Sequence, residues 1–272
     1  MGSGIAEVAA RSGCDVKIVE ANDGALQAGM ERMEKSLDRA VRAEKISDDD
    51  RALVMGNISF STKLTSLADR QFVVEAVIEQ EEAKIEVFRR LNDVVDDPEA
   101  IMASNTSSIP IMKLAMATNR PQQVIGVHFF NPVPMMALVE IIRALQTSDE
   151  TFRSTDEFTR SLGKTPVSVK DSPGFVVNRM LVPMINEATF ILYEGLATAE
   201  EIDAAMKLGA GHPMGPLALA DMIGIDVCLY VMNILLDEFG DSKFRPCPLL
   251  KQMVAAGYLG RKSGKGFFDY AK

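Results

Sequence analysis

Residues 123–142 read QVIGVHFFNPVPMMALVEII. Two runs rich in Val and Ile, 123–129 and 137–142, flank a turn that contains Asn131, Pro132 and Pro134. That is the composition of two short strands joined by a connection that cannot be helical. Toward the N-terminus, AIMAS (100–104) is a strand stopped by NTSS, FVVEAV (72–77) reads as a buried strand, and DVKIVE (15–20) as another. Between them, 24–45 and 82–95 carry helical patterns. Toward the C-terminus, 147–162 reads as a helix and PVSVK (166–170) as the last strand. Strands alternating with helices specify an α/β fold with a mostly parallel sheet. The pattern changes at DSPG (171–174). Beyond it, 175–194, 199–208, 216 to about 238 and 249–256 all read as helices. Only GFFDY in the tail keeps a strand pattern. A shift in pattern at a Pro-Gly pair marks a domain boundary. We expect an α/β domain over 1–172 and an all-helical domain over 173–272.

Composition sets the class. The chain has 272 residues, 47% of them hydrophobic and 25% charged, which excludes disorder, a collagen and a disulfide scaffold. The net charge of −9 disfavours nucleic acid and anionic membranes as general partners. No window approaches the roughly 18 consecutive apolar residues of a membrane span. The opening MGSGIAEVAARSG has no basic n-region, so no signal peptide is expected. Three cysteines, Cys14, Cys228 and Cys247, are too few and too scattered for a metal site. They suit a reducing compartment, with the cytoplasm as the default.

Several residues carry chemistry. MGSGIAEVAA, followed by a strand ending at Glu20, has the form of the latter part of a dinucleotide-binding βαβ unit. In such a unit glycines admit a pyrophosphate to a helix N-terminus and the acid takes the ribose 2′-hydroxyl. An acid ending a strand is also an ordinary solvated turn. A carboxylate there, with no arginine following, favours NAD over NADP. His128 ends a strand, at the edge where α/β folds bind ligands, and a neutral imidazole there can take a hydroxyl proton. Glu140 lies inside the apolar run ALVEII, and a buried carboxylate needs a partner. The pair is either a base with its orienting carboxylate or a structural bridge between two strands. SNTSS (104–108) is a turn former or a source of a hydroxyl at the same edge. Asn178 opens the long helix of the second domain, as a cap or as a site residue. His212, in GAGHPMGP, reads as part of a rigid connector. Lys35, Arg39, Arg42 and Lys45 are spaced three or four apart, which makes either a salt-bridged face or a site for a phosphate-rich ligand. The sixteen methionines read as core filler.

Taken together, FVVEAVIE, ASNTSSIPI, GVHFFNPVPMMALVE, KDSPGFVVNRMLVP, EIDAAMKLGAGHPMGP and GRKSGKGFFDY resemble the 3-hydroxyacyl-CoA dehydrogenases, most closely the short 3-hydroxybutyryl-CoA dehydrogenases, along essentially the whole chain. The resemblance implies a Rossmann-like domain followed by a helical substrate-binding and dimerisation domain. It also implies reversible NAD-linked oxidation of an (S)-3-hydroxyacyl-CoA, and a homodimer. It makes His128 the general base, Glu140 its carboxylate partner, and Ser107 and Asn178 the remaining catalytic positions. Gly2, Glu20, Glu79, Lys84, Ser107, Asn131 and Lys262 match cofactor-lining positions. Ser36 matches a CoA contact. The family's basic CoA contact falls at Ala43, flanked by Arg42 and Lys45.

The family begins with a strand and G-x-G-x-x-G, and here Gly2 matches the third glycine. DVKIVE and FVVEAV are therefore each expected to lack a pairing partner, with weak or absent NAD binding and a soft, aggregation-prone first domain as the consequence. Two rival readings are a CoA-binding relic of the same fold that is catalytically impaired and an enzyme acting on free 3-hydroxyacids. Enzymes of the latter class typically place a lysine where this chain has Asn178.

Overall fold

The computed structural model describes residues 1–270. The chain divides into two compact units, Met1–Ser172 and Pro173–Lys272.

The first unit runs α1 (Gly2–Arg11), β1 (Val16–Val19), α2 (Asp23–Arg42), α3 (Asp48–Gly56), β2 (Ile58–Ser61), β3 (Phe72–Glu75), α4 (Glu81–Val94), β4 (Ile101–Ser104), α5 (Ile111–Ala115), β5 (Val124–Phe129), β6 (Leu138–Arg143), α6 (Asp149–Ser161) and β7 (Thr165–Lys170). Six strands stand where the sequence places them. The reading did not include α3 and β2. Ser47 caps α3 reciprocally with Asp50, a capping box written in SDDD (47–50).

Five strands form one sheet in the order β3-β4-β5-β6-β7. Every pairing is parallel except β5 with β6, which the turn at 130–137 makes antiparallel. The two central strands are buried along their length, β4 completely and β5 at every residue. Such strands read as continuous apolar runs, because both faces of the sheet are covered. Gly126 lies where β5 is most crowded. A Cβ there would come within 2.8 Å of both Ile111 Cδ1 and Ile142 Cβ.

β1 and β2 form a separate parallel pair. β1 and β3 share no ladder, so each presents an edge without a strand partner, as expected from the sequence. Between them lies a cavity of about 750 Å³, lined by Ile5 and Ala9 of α1, Val16 and Ile18 of β1, and Phe72 and Val74 of β3. α1 begins beside the ends of these strands. A Cβ on Gly2 would lie 3.8 Å from that of Ala76, just past β3, and the Met1 amine feels the charge of Glu20, just past β1.

The second unit contains α7 (Val177–Tyr193), α8 (Ala199–Gly209), α9 (Pro216–Ile223), α10 (Ile225–Phe239) and α11 (Pro248–Ala255). The single helix expected from 216 to about 238 is in fact two, α9 and α10, bent by 97° at Gly224. Gly224 has φ +110°, a conformation side chains rarely adopt, and it cannot continue a helix. Two buried carboxylates fix the connections around this bend. Asp203 accepts from the Leu217 and Ala218 amides at the start of α9. Asp221 accepts from the Phe267 and Phe268 amides and so pins the tail. Among the described residues no single helix is long and apolar enough to cross a membrane.

Candidate active site

The antiparallel register places His128 of β5 directly opposite Glu140 of β6. Side chains directly opposite each other on one face are close neighbours. His128 Nδ1 lies 2.8 Å from Glu140 Oε2, and both residues are buried, at 6% and 1% exposure. An ionised carboxylate only accepts, so Nδ1 is the donor in this contact. Phe130 packs on the imidazole with ring centroids 4.5 Å apart. The turn leaving β5 is held firmly. Val133 packs against α1 at Gly4, where a Cβ would come within 3.1 Å, and Lys164 Nζ donates to the carbonyls of Val133 and Met136. Asn131 precedes the cis bond to Pro132 in this turn.

Residues 105–108 follow β4 and reach the same end of the sheet. Asn105 Oδ1 accepts from the Phe129 amide, tying this segment to the residue after His128. Glu79, in the loop between β3 and α4, accepts from Thr106 Oγ1 (2.5 Å), the Ser107 amide (2.8 Å), Ser107 Oγ (3.2 Å) and Ser108 Oγ (3.1 Å). Burial alone raises the pKa of Glu79. The charge of Lys84, with the Thr106 hydroxyl and the Ser107 amide, outweighs burial and holds it below the ordinary carboxylate range. Lys84 Nζ is 3.3 Å from Glu79 and 2.7 Å from Glu75. Ser107, Glu79 and Lys84, separated by up to 28 residues in sequence, are thus one hydrogen-bonded group. Sequence reasoning missed Glu75. The available signal was a carboxylate ending the apolar run FVVE.

α1 starts with no side-chain cap and no acidic residue in its first turn, whereas α2, α3, α6 and α8 each have both. An uncapped, glycine-lined helix start of this kind suits an anionic group such as a pyrophosphate. Glu20 lies just past β1, with Arg32 close to it across Gly29 of α2. Ser36 and Arg42 lie on α2 and Lys45 just beyond it. Lys35, Arg39, Arg42 and Lys45 make no ion pair among the described residues, so this is not a salt-bridged face. No group of three or more His, Cys, Asp or Glu among the described residues is placed to hold a metal.

In the second unit, Asn178 stands in the first turn of α7. Lys262 donates to both oxygens of Asp226, at 2.5 and 2.7 Å. His212 lies in the α8–α9 connection, its amide bonded to the Met206 carbonyl, as the connector reading expects.

Residues 1–172 match the family of 3-hydroxyacyl-CoA dehydrogenase NAD-binding domains, and residues 174–270 match the C-terminal domain of the same dehydrogenases. A probable 3-hydroxybutyryl-CoA dehydrogenase of Bacillus subtilis is 52% identical over 270 residues, covering 99% of this chain and 94% of its own. The crystal structure of (S)-3-hydroxybutyryl-CoA dehydrogenase PaaH1 from Ralstonia eutropha superposes with a TM-score of 0.96 at 51% identity, covering 100% of this chain and 96% of that one. FadB2 of M. tuberculosis superposes with a TM-score of 0.98 at 48% identity, covering 100% and 95%.

Proposed function

The chain belongs to the 3-hydroxyacyl-CoA dehydrogenase family, and on that premise we propose how its residues act. It is an NAD-dependent oxidoreductase that converts an (S)-3-hydroxyacyl-CoA to the 3-ketoacyl-CoA, reversibly, with 3-hydroxybutanoyl-CoA as the substrate its relatives' names point to. Relatives about half identical along the whole chain are dehydrogenases, which argues against an impaired relic.

The observation that carries the mechanism is the buried His128–Glu140 pair at the sheet edge. His128 Nε2 takes the proton of the 3-hydroxyl, and Glu140 stabilises the imidazolium through Nδ1–H. The bound NAD would supply the hydride acceptor for C3. Ser107 offers its hydroxyl to the substrate oxygen, and Asn178 of the second unit orients the substrate. The α1 start at Gly2 receives the pyrophosphate and Glu20 the ribose, while Glu79, Lys84, Asn131 and Lys262 line the cofactor. Ser36, Arg42 and Lys45 meet the CoA phosphates. The ion-pair-free cations of α2 and its continuation support that assignment.

The enzyme acts as a homodimer. What supports it is that Met180, Leu196, Leu208 and Met222 of the helical unit are half to almost wholly exposed, the kind of apolar surface a subunit interface covers. Light scattering that finds only monomer at micromolar concentration defeats this assignment. We infer a cytoplasmic location, which the three free cysteines, Cys14, Cys228 and Cys247, suit as residues of a reducing compartment. The central test is NADH formation from (S)- against (R)-3-hydroxybutanoyl-CoA, with NAD against NADP. Turnover is expected with the (S) form and NAD; no turnover with any pair overturns the reading.

A further inference from the structure

Glu75 is the last residue of β3, its side chain fully buried. Such a carboxylate is costly unless every lone pair finds a donor. Here three donors converge on it: Lys84 Nζ at 2.7 Å, the Val77 amide at 2.6 Å and Ser104 Oγ at 2.6 Å. Its own carbonyl accepts from the Asn105 amide at 2.8 Å. Each contact leads to a different part of the site. Val77 starts the loop that carries Glu79. Ser104 ends β4 and starts the segment that carries Ser107, and its hydroxyl oxygen accepts from the Thr106 amide. Lys84, in the first turns of α4, is the cation that also faces Glu79.

We infer that Glu75 is a positioning residue for the NAD-side wall of the site, setting Ser107 through Lys84, Glu79 and Ser104. The inference rests on the functional reading above and deepens it. Lys84 stands between two carboxylates with one charge to share. With Glu75 ionised, Lys84 is held at 2.7 Å on that side, and Glu79 keeps its oxygen on the Thr106, Ser107 and Ser108 donors. If the charge of Glu75 is removed, the ammonium has Glu79 as its only carboxylate partner among the described residues. Lys84 faces Glu79 Oε2 at 3.3 Å while Oε1 holds the serine turn, so a carboxylate that turns toward the ammonium loosens its Oε1 contacts. The geometry of Ser107 therefore depends on a carboxylate that touches neither substrate nor cofactor.

The test compares the wild-type chain with Glu75→Gln, which keeps the size and one acceptor but not the charge, and with Ser104→Ala, which removes one arm and keeps the ion pair. Hydrogen exchange of the 106–109 amides and NAD affinity by calorimetry are measured on each. In Glu75→Gln the turn amides are expected to exchange at least ~10-fold faster and the Kd for NAD to rise ~10-fold or more, the scale of one charge-assisted hydrogen bond. Exchange in α7 and α10 stays unchanged. Ser104→Ala moves the exchange in the same direction, by less. If Glu75→Gln fails to fold, Ser104→Ala alone decides, and wild-type exchange in it overturns the inference. Faster exchange in Glu75→Gln with unchanged NAD affinity also overturns it, leaving Glu75 purely structural. A chain that binds no NAD even with a β-branched strand and G-x-G-x fused ahead of Met1 sinks the functional reading instead, and the exchange comparison still decides what Glu75 holds.

Discussion

Replacing Glu140 with glutamine removes one charge and almost no volume from a fully buried site. In the resting enzyme the loss is small, since the amide oxygen can still accept from His128 Nδ1–H across the 2.8 Å contact. The cost comes when His128 takes the substrate proton and becomes an imidazolium at 6% exposure. A hydrogen bond to an ionised partner contributes about 1.5–3 kcal/mol where a neutral one contributes about 1. The difference, roughly 0.5–2 kcal/mol, is felt most where the ring is charged, and at about 1.4 kcal/mol per decade it predicts a kcat ~2- to 30-fold lower. The amide also presents its N–H₂ to the ring when flipped, which favours the wrong tautomer and adds to the loss. NAD affinity stays within about twofold, because neither partner lies on the α1 start or the Glu79 group. His128→Ala removes the base itself and lowers kcat by ~10²-fold or more. The assay is steady-state NADH absorbance with saturating substrate, with cofactor affinity measured separately. A Glu140→Gln enzyme with wild-type kcat and an unchanged pH profile refutes the argument that this carboxylate stabilises the charged base.

Three further outcomes are expected. Burial, with Asp226 and Asp221 nearby, pushes the Cys228 thiol from 9.0 up to about 12. The native state thus keeps a proton that the unfolded chain sheds above about pH 9, and stability falls as pH rises from there toward 12. The slope is about 1.4 kcal/mol per pH unit, and denaturant melts of Cys228→Ser should lack it. Gly126→Ala forces a Cβ to within 2.8 Å of Ile111 and Ile142 and should destabilise the first unit by ~1–3 kcal/mol in denaturant melts; unchanged stability contradicts the crowding argument. A β-branched strand followed by G-x-G-x, fused ahead of Met1, should pair with the facing edges of β1 and β3, raise the melting temperature and tighten NAD binding. Equal affinity with and without the fusion shows that the slot plays no part in the cofactor site.

What could be read from the sequence follows from which forces are local. In the five-stranded sheet β3 to β6 are largely apolar runs and β7 alternates, all bounded by turn residues, and both signals lie within a few residues of each other. β2, only four residues long and half polar in ISFS, has no such signature, and it exists because β1 offers it an edge. The bend at Gly224 was hidden for the opposite reason. LALADMIGIDVCLYVMNILL is apolar and periodic throughout, and a lone glycine inside a helical pattern is usually tolerated. What breaks this helix is a tertiary demand: the Asp221 carboxylate holds the tail, and the tail's own Gly260 must lie against the Asp221 backbone.

The site divides along the same line. His128 and Glu140 are twelve residues apart across a single turn, so alternation and a short connection are enough to bring them face to face. The rule that singles out Glu140, a carboxylate in an apolar strand that must find a partner, applies equally to Glu75. Its partners, however, belong to different elements: Lys84 on α4 and Ser104 at the end of β4, 9 and 29 residues away. Local pattern can therefore show that Glu75 is anomalous but not what satisfies it. The order β3-β4-β5 brings the ends of these strands to one edge, and only there does one buried charge come to organise the loop with Glu79 and the turn with Ser107. Glu79 and Ser107 lie on a loop and a turn, and the turn SNTSS has a recognisable composition. The residue that holds those turns in place is buried behind them, and its role is fixed by topology rather than by neighbouring sequence.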